Sequence, residues 1–293
     1  MVPGIFARTF ARQSVEEVLD AAALPGLRCV QFNFACAGLP TLADAYPDPL
    51  LARIRAAAAS RGLAIAAVSG TWNMIHPDPA VREAGLRRLP ALLGAARALG
   101  CRVVTLCTGS RDPGNMWQSH PDNQGAAAWA DLRAVLEPAL AAADQAGVTL
   151  GVEPETANVV DSAGRARRLL DDFPGAPLGI VLDPANLLRP GAGPAQATVL
   201  QEAFHLLGGR LVLAHAKEWT EDGHGGARAA GAGQLDWDLY LALLRSAGFD
   251  GPLILHGFAE SAAAASVAFL LGKLRGDGQA PANQRPRADG TTG

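Results

Sequence analysis

The chain has 293 residues, 49% of them apolar and 18% charged, with a formal net charge of −3. That is enough apolar material for a substantial core and excludes global disorder. Only Lys217 and Lys273 of the 25 basic residues are lysine, and no stretch gathers them into the dense basic run that a phosphate backbone attracts, so no nucleic-acid partner is expected. No stretch reaches about 18 uninterrupted apolar residues. Residues 1–13 carry Arg8 and Arg12 but no following apolar run of the secretory kind. The expectation is a cytoplasmic protein without a membrane partner. Cys29, Cys36, Cys101 and Cys107 have no C-x-x-C spacing and read as small buried thiols, neither a disulfide frame nor a zinc knot.

Short runs rich in Val, Leu, Ile and Cys alternate with longer alanine-rich segments whose apolar residues recur at helical spacing. In chain order the pattern predicts a strand over 4–7, a helix over 14–23, a strand over 27–32 and a helix over 49–61. A strand over 63–69, a helix over 80–99, a strand over 101–107 and a helix over 126–146 follow. Then come a strand over 148–153, a helix over 162–172, a strand over 178–183 and a helix over 195–207. The last pairs are a strand over 211–217 with a helix over 236–247, and a strand over 252–256 with a helix over 260–274. Gly62, Gly100, Gly147 and Gly248 stand where helix C-caps are needed. Eight strand–helix units predict an α/β fold, a single (β/α)8 TIM barrel over residues 1–275. An open doubly wound sheet normally carries a glycine-rich phosphate turn after its first strand, and there is none here. Residues 276–293, rich in Gly, Pro, Gln, Asn and Arg with no apolar period, are expected to form a flexible tail.

A barrel gathers the C-terminal ends of its strands into one mouth, so polar residues at those ends converge. The fifth strand ends in Glu153-Pro154-Glu155 and the sixth in Asp183-Pro184-Ala185-Asn186. The seventh runs into His215-Ala216-Lys217-Glu218, and the eighth ends in His256. Four consecutive strands thus each deliver a potential metal ligand. The period of two places His215 and Lys217 on one face. Carboxylates at the ends of apolar strands are costly to bury, and a divalent cation bound by Glu153, Asp183 and imidazole offsets that cost. Taken singly, Glu153 could pair with an arginine, Asp183 could cap a turn, and His215 could be a hydrogen-bonded core histidine.

Three of these motifs run Gly151-Val152-Glu153-Pro154-Glu155 with Asn158-Val159-Val160, Ile180-Val181-Leu182-Asp183-Pro184-Ala185-Asn186, and His215-Ala216-Lys217-Glu218. With Gly248-Phe249-Asp250-Gly251-Pro252-Leu253-Ile254 they resemble the sugar phosphate isomerase/epimerase family of xylose isomerase-like barrels, over about residues 4–272. The resemblance implies a divalent metal, one of Mn, Mg, Co, Ni or Zn, held by Glu153, Asp183 and His215. His256 falls at a fourth ligand position that the family fills with glutamate. It also implies Glu153 and His256 as proton-transfer groups. Lys217, directed beside His215, reads as a cation holding a substrate oxygen or a carboxylate, with a structural ion pair to Glu153 or Asp183 as the other reading. The implied activity is isomerisation or epimerisation of a sugar, ketose, cyclitol or related polyhydroxy carbonyl compound through an enediolate. A dehydratase or lyase using the same enediolate, and a non-catalytic sugar-binding protein, are the alternatives. Gly231-Ala232-Gly233 lacks the acidic residue the family usually carries between those glycines.

The remaining candidates are contacts to a small sugar-like substrate. Glu155, Asn158 and Asn186 flank the strand ends, the asparagines being equally suited to turn capping. The loops after strands three and four each offer a tryptophan and a histidine, Trp72 with His76 and Trp117 with His120. A tryptophan suits stacking on a sugar ring, with packing of the barrel rim as the other reading. Arg228 could clamp a phosphate or carboxylate. Nearby His224 reads as a solvated loop residue and His205 as a structural helix residue. A homo-oligomer is compatible with the sequence.

Overall fold

The predicted alternation closes into a ring of eight parallel strands. The computed structural model describes residues 1–223 and 228–276; the expected tail from 277 onward and His224 lie outside the described residues. The strands are β1 Val2–Phe6, β2 Cys29–Phe32, β3 Ala64–Ser69, β4 Val103–Cys107, β5 Thr149–Glu153, β6 Leu178–Leu182, β7 Leu211–Ala216 and β8 Pro252–Leu255. Each pairs in parallel with its neighbours in sequence, and β8 closes on β1 with Gly4 opposite Ile254. The helices are α1 Val15–Ala22, α2 Asp48–Ser60, α3 Pro79–Ala98, α4 Ala126–Ala146 and α5 Ala163–Asp172. They continue with α6 Pro184–Leu187, α7 Gln196–Leu207, α8 Trp237–Ser246 and α9 Ala263–Arg275. Among the described residues no helix is long and apolar enough to cross a membrane.

Local chemistry sets the helix ends. The Ser14 hydroxyl accepts from the Glu17 N–H at 3.3 Å while the Glu17 carboxylate accepts from the Ser14 N–H at 3.0 Å, a reciprocal cap that starts α1. Gly147 and Gly248 turn left-handed at φ +63° and +69°, which a residue with a Cβ adopts only at a cost. The short helix α6 was not expected from the apolar pattern. It arises because Asp183 accepts from the Ala185 N–H at 2.9 Å and Pro184 occupies the first helical position, both favourable at a helix start. Outside the ring, helices lay apolar stripes on the strands. In α1 these are Val15, Val18, Leu19 and Ala22, all buried.

Inside the ring the alternation of side chains divides the interior into two levels. Cys29, Ala67, Val181, Leu213 and Ile254 form a buried plug with Val103 and Phe6 packed against it. Two positions further along the same inward rows stand Gln31, Ser69, Thr105, Asp183, His215 and His256. The apolar plug therefore ends where the polar mouth begins. Glycine permits the tight lower level. A Cβ at Gly4 would stand 2.6 Å from both Cys29 Sγ and Ile254 Cδ1 and 2.7 Å from the Cys29 carbonyl oxygen. Gly4→Ala is expected to overpack this level and destabilise the protein by ~1–3 kcal/mol, seen as a fall in melting temperature of several degrees in calorimetry.

Candidate active site

Glu153, the last residue of β5, and Asp183, His215 and His256 on the strands that follow offer one ligand atom each, all within 4.8 Å of one another. His215 Nδ1 lies 3.2 Å from Glu153 Oε1 and 3.6 Å from Asp183 Oδ2. His256 Nε2 lies 2.9 Å from the same Asp183 oxygen. The two imidazole rings are 4.1 Å apart, and the edge of Phe6 closes on His256. Asp183 and His256 stand one position beyond their strands, because the backbone ladder stops while the side-chain alternation carries on. Asp183 caps α6 with one oxygen, as one reading of the sequence expected, and faces the imidazoles with the other.

Neighbouring side chains fix this cluster. Asn186 donates to Glu153 Oε1 at 2.7 Å, and Lys217 Nζ donates to Asn186 Oδ1 at 2.7 Å while lying 3.9 Å from Asp183. The Cys107 thiol donates to the other Glu153 oxygen at 3.7 Å. On the far side His215 Nε2 meets Gln31 Oε1 at 2.9 Å, and the Gln31 amide nitrogen donates to Ser69 Oγ and Thr105 Oγ1 at 3.1 and 3.3 Å. From α8 the Tyr240 hydroxyl donates to the His215 carbonyl at 2.8 Å. No arginine pairs with Glu153 among the described residues.

The charges follow from these contacts. Burial opposes a charged imidazole at His215, but Glu153 and Asp183 outweigh it and push its pKa up to about 9. Burial likewise opposes charge on Asp183, yet Lys217 and the two histidines hold its carboxyl well below the usual range. His256 is lowered, by burial and then by the nearby His215 charge. Glu155 is raised by burial, and the Cys107 thiol is raised by burial and by the glutamates, so it stays protonated and able to donate.

Glu153, His215 and His256, with the fully buried Asp183 beside them, floor a cavity of about 440 Å³ whose wall includes Glu155, Asn186, Lys217, Trp117, Arg8 and Asn33. Two carboxylates and two imidazoles at this spacing suit a divalent ion that accepts nitrogen and oxygen ligands together, so the four residues could hold a metal. They could equally present a carboxylate base to a bound molecule.

Glu155, Asn186, Lys217 and Trp117 reach the cavity, Trp117 being 52% exposed at its rim. Five further candidates do not. Trp72 is buried against α3, where a Cβ at Gly85 would stand 2.2 Å from its Nε1, so it packs the outside of the barrel. His76 Nδ1 accepts from the Asp78 N–H at 3.0 Å, and His120 Nδ1 accepts from the Asp122 N–H at 3.2 Å; both rings shape their own turns. Asn158 accepts from the Gly109 N–H at 2.6 Å and donates to the Met116 carbonyl at 3.0 Å, tying the loop that carries Trp117 to the end of β5. Arg228 is exposed, 4.0 Å from Asp222. The cavity also recruits residues that the sequence reading passed over, namely Arg8, Gln31, Asn33, Thr41, Ser69, Thr71, Thr105 and Cys107. Gln31 had a signal: it is a polar residue on the inward row of an otherwise apolar strand.

The loop after β7 folds around a second carboxylate. Glu218 is buried and accepts from the N–H groups of Trp219, Gly231 and Leu235 and from the Trp237 indole, at 2.7 to 3.0 Å. Gly233 lies so close that a Cβ there would stand 2.4 Å from Glu218 Cγ.

A closed parallel barrel with a carboxylate–imidazole cluster at its C-terminal mouth defines a class of protein, and comparison places the chain within it. A profile of the xylose isomerase-like TIM barrel family matches residues 19–273, and the chain belongs to that family. Comparison with curated protein sequences gives no match. Among solved structures it is similar to a xylose isomerase domain protein from Planctomyces limnophilus, at 18% identity and a TM-score of 0.69, covering 94% of this chain and 96% of that one. It is also similar to a 3-keto-D-glucoside 4-epimerase from E. coli, at 16% identity and a TM-score of 0.71, covering 92% and 99%. A D-allulose 3-epimerase from Methylomonas sp. matches at 14% identity and a TM-score of 0.71, covering 93% and 98%. At these identities the likeness is one of fold.

The pKa of His215 gives a test of the cluster in metal-free protein. Its folded value of about 9 lies above the ordinary 6.5, so its charge stabilises fully below pH 6.5, and that contribution fades as pH rises through 9. Asp183, depressed, contributes above its ordinary 3.8 and loses that contribution as pH falls. In chelator-treated protein the melting temperature is expected to fall between pH 6.5 and 9 more steeply for wild type than for His215→Gln, as read by scanning fluorimetry.

Proposed function

We propose that the chain is a metal-dependent isomerase or epimerase acting on a ketose, cyclitol or related polyhydroxy carbonyl compound. The observation that carries this reading is the convergence of Glu153, Asp183, His215 and His256 on one point at the floor of a polar cavity. Family membership and the epimerases among the structures of like fold agree with it.

Glu153, Asp183, His215 and His256 would hold the ion, which supplies electrophilic polarisation of a substrate carbonyl. The chain's own residues then handle the proton. Glu153 takes it from the carbon beside the carbonyl, leaving an enediolate, and returning it to the neighbouring carbon or to the opposite face gives an isomer or an epimer. Asn186, held by Lys217, keeps one oxygen of Glu153 in place. Lys217 lines the cavity, where its ammonium favours negative charge developing on a substrate oxygen. His256 takes the place of a second carboxylate, so Glu153 is the principal base and His256 the group able to act from the eighth strand.

Two outcomes follow. Exchange of substrate C–H with solvent deuterium, followed by NMR over a panel of ketoses and cyclitols, is expected in the presence of Mn or Co. It should disappear in verified metal-free protein and in Asp183→Ala. Exchange that persists in either sample would overturn the reading, and a product lighter by one water would redirect it to a dehydratase. Separately, Gln31→Leu removes the acceptor for His215 Nε2 and the donor for two hydroxyls. Its metal affinity, measured by titration calorimetry, is expected to drop by about 10- to 100-fold with the fold intact by circular dichroism.

A further inference from the structure

Arg8 stands in the short turn Ala7–Thr9 just past β1, and Asn33, two positions beyond Gln31, stands just past β2. Both residues line the cavity beside Thr41. Asn33 is 3% exposed. Its Oδ1 accepts from the Ala35 N–H at 2.9 Å and from the Thr41 hydroxyl at 3.2 Å, which fixes the orientation of the amide. Its Nδ2 meets no acceptor among the described residues. An amide nitrogen of a cavity-lining residue with no protein acceptor is left to donate to a ligand or a water.

Arg8 is exposed and adds positive charge at the mouth of the same cavity. Several arginines of this chain hold a carboxylate, among them Arg12, Arg53, Arg61, Arg88 and Arg111. Arg8 lines the cavity and holds none among the described residues. A guanidinium and an unpaired amide both offer only donors, in a fork that matches the paired oxygens of a carboxylate or a phosphate. The acidic residues lining the cavity, Glu153 and Glu155, come from the end of β5, so this wall brings no carboxylate of its own from β1 or β2.

We propose that Arg8 and Asn33 form a subsite for an anionic terminus, and that the substrate is a polyhydroxy carbonyl compound carrying a carboxylate or phosphate at the end away from its reacting carbon. This deepens and rests on the sugar-site reading given above. Thr41 is the positioning residue, because its hydroxyl turns the Asn33 amide toward the ligand. Arg8 supplies the charge that separates an acidic substrate from a neutral one of the same length.

The test is calorimetric binding to Mn-loaded enzyme of three probes of matched carbon skeleton: ribitol, D-ribonate and ribitol 5-phosphate. At least one anion is expected to bind more tightly than ribitol by about tenfold or more, the scale of a charge-assisted contact. Whichever anion binds more tightly identifies the group recognised. Arg8→Gln should reduce the anions to the ribitol level. Asn33→Asp keeps the bonds from Ala35 and Thr41 but replaces a donor by a repelling oxygen, and should weaken the anions by a larger factor than it weakens ribitol. Ribitol binding as tightly as both anions would overturn the subsite and leave the sugar site standing. Variants that weaken all three probes alike would also overturn it, because a structural role acts on every ligand. Failure of all three probes to bind the metal-loaded protein would defeat the sugar-site reading itself, and the subsite with it.

Discussion

Two carboxylates facing one imidazole inside a closed ring of strands are the constraint on which the mouth depends. Asp183 is fully buried and Glu153 nearly so, and His215 Nδ1 lies between them at 3.2 and 3.6 Å. Around that contact each further group answers a specific need. Asn186 and Cys107 donate to Glu153, His256 and Lys217 approach Asp183, and Gln31 takes the remaining nitrogen of His215. Removing one partner would leave a buried charge exposed to its neighbours, which costs far more than an isolated surface pair contributes. The arrangement is therefore cooperative, and a metal ion would enter a site already shaped by mutual pairing.

His256 gives this mouth its particular character. An imidazole on the eighth strand keeps a nitrogen ligand and a group able to move a proton, but it lowers the negative charge of the cluster relative to one with three carboxylates. A site with fewer anionic ligands binds hard, oxygen-seeking cations less well and favours borderline ions that accept nitrogen. It also makes the two faces of a bound substrate chemically unlike, with a carboxylate on one strand and an imidazole on the other.

The ring and the polar residues that end its last four strands were legible in the sequence because they rest on two simple periods. Apolar runs of strand length alternated with helical ones, and each of the last four strands ended on a polar residue, so Glu153, Asp183, His215 and His256 could be placed before any coordinates. The loops were harder to read. Trp72 and Trp117 look alike in sequence, each a tryptophan in a polar loop after a strand. Only packing separates them, since Gly85 opens a slot on α3 that takes the Trp72 indole away from the mouth. His76 and His120 were ambiguous for a similar reason, as a histidine that caps its own turn has the same local sequence as one that meets a ligand. Gln31 and Asn33 carry no such mark, being neutral amides at the end of β2, in the opposite half of the barrel from the charged strand ends.

The loop that wraps Glu218 has a consequence for how this protein can diversify. Its backbone N–H groups converge on a carboxylate supplied from below, and Gly233 presses against that side chain with no room for a Cβ. Ala232 between the two glycines is exposed and makes no such demand. Between Gly231 and Gly233, inheritable variation is thereby steered to the outward-facing Ala232, where new chemistry can be tried over the barrel rim without disturbing the carboxylate that gives the loop its shape.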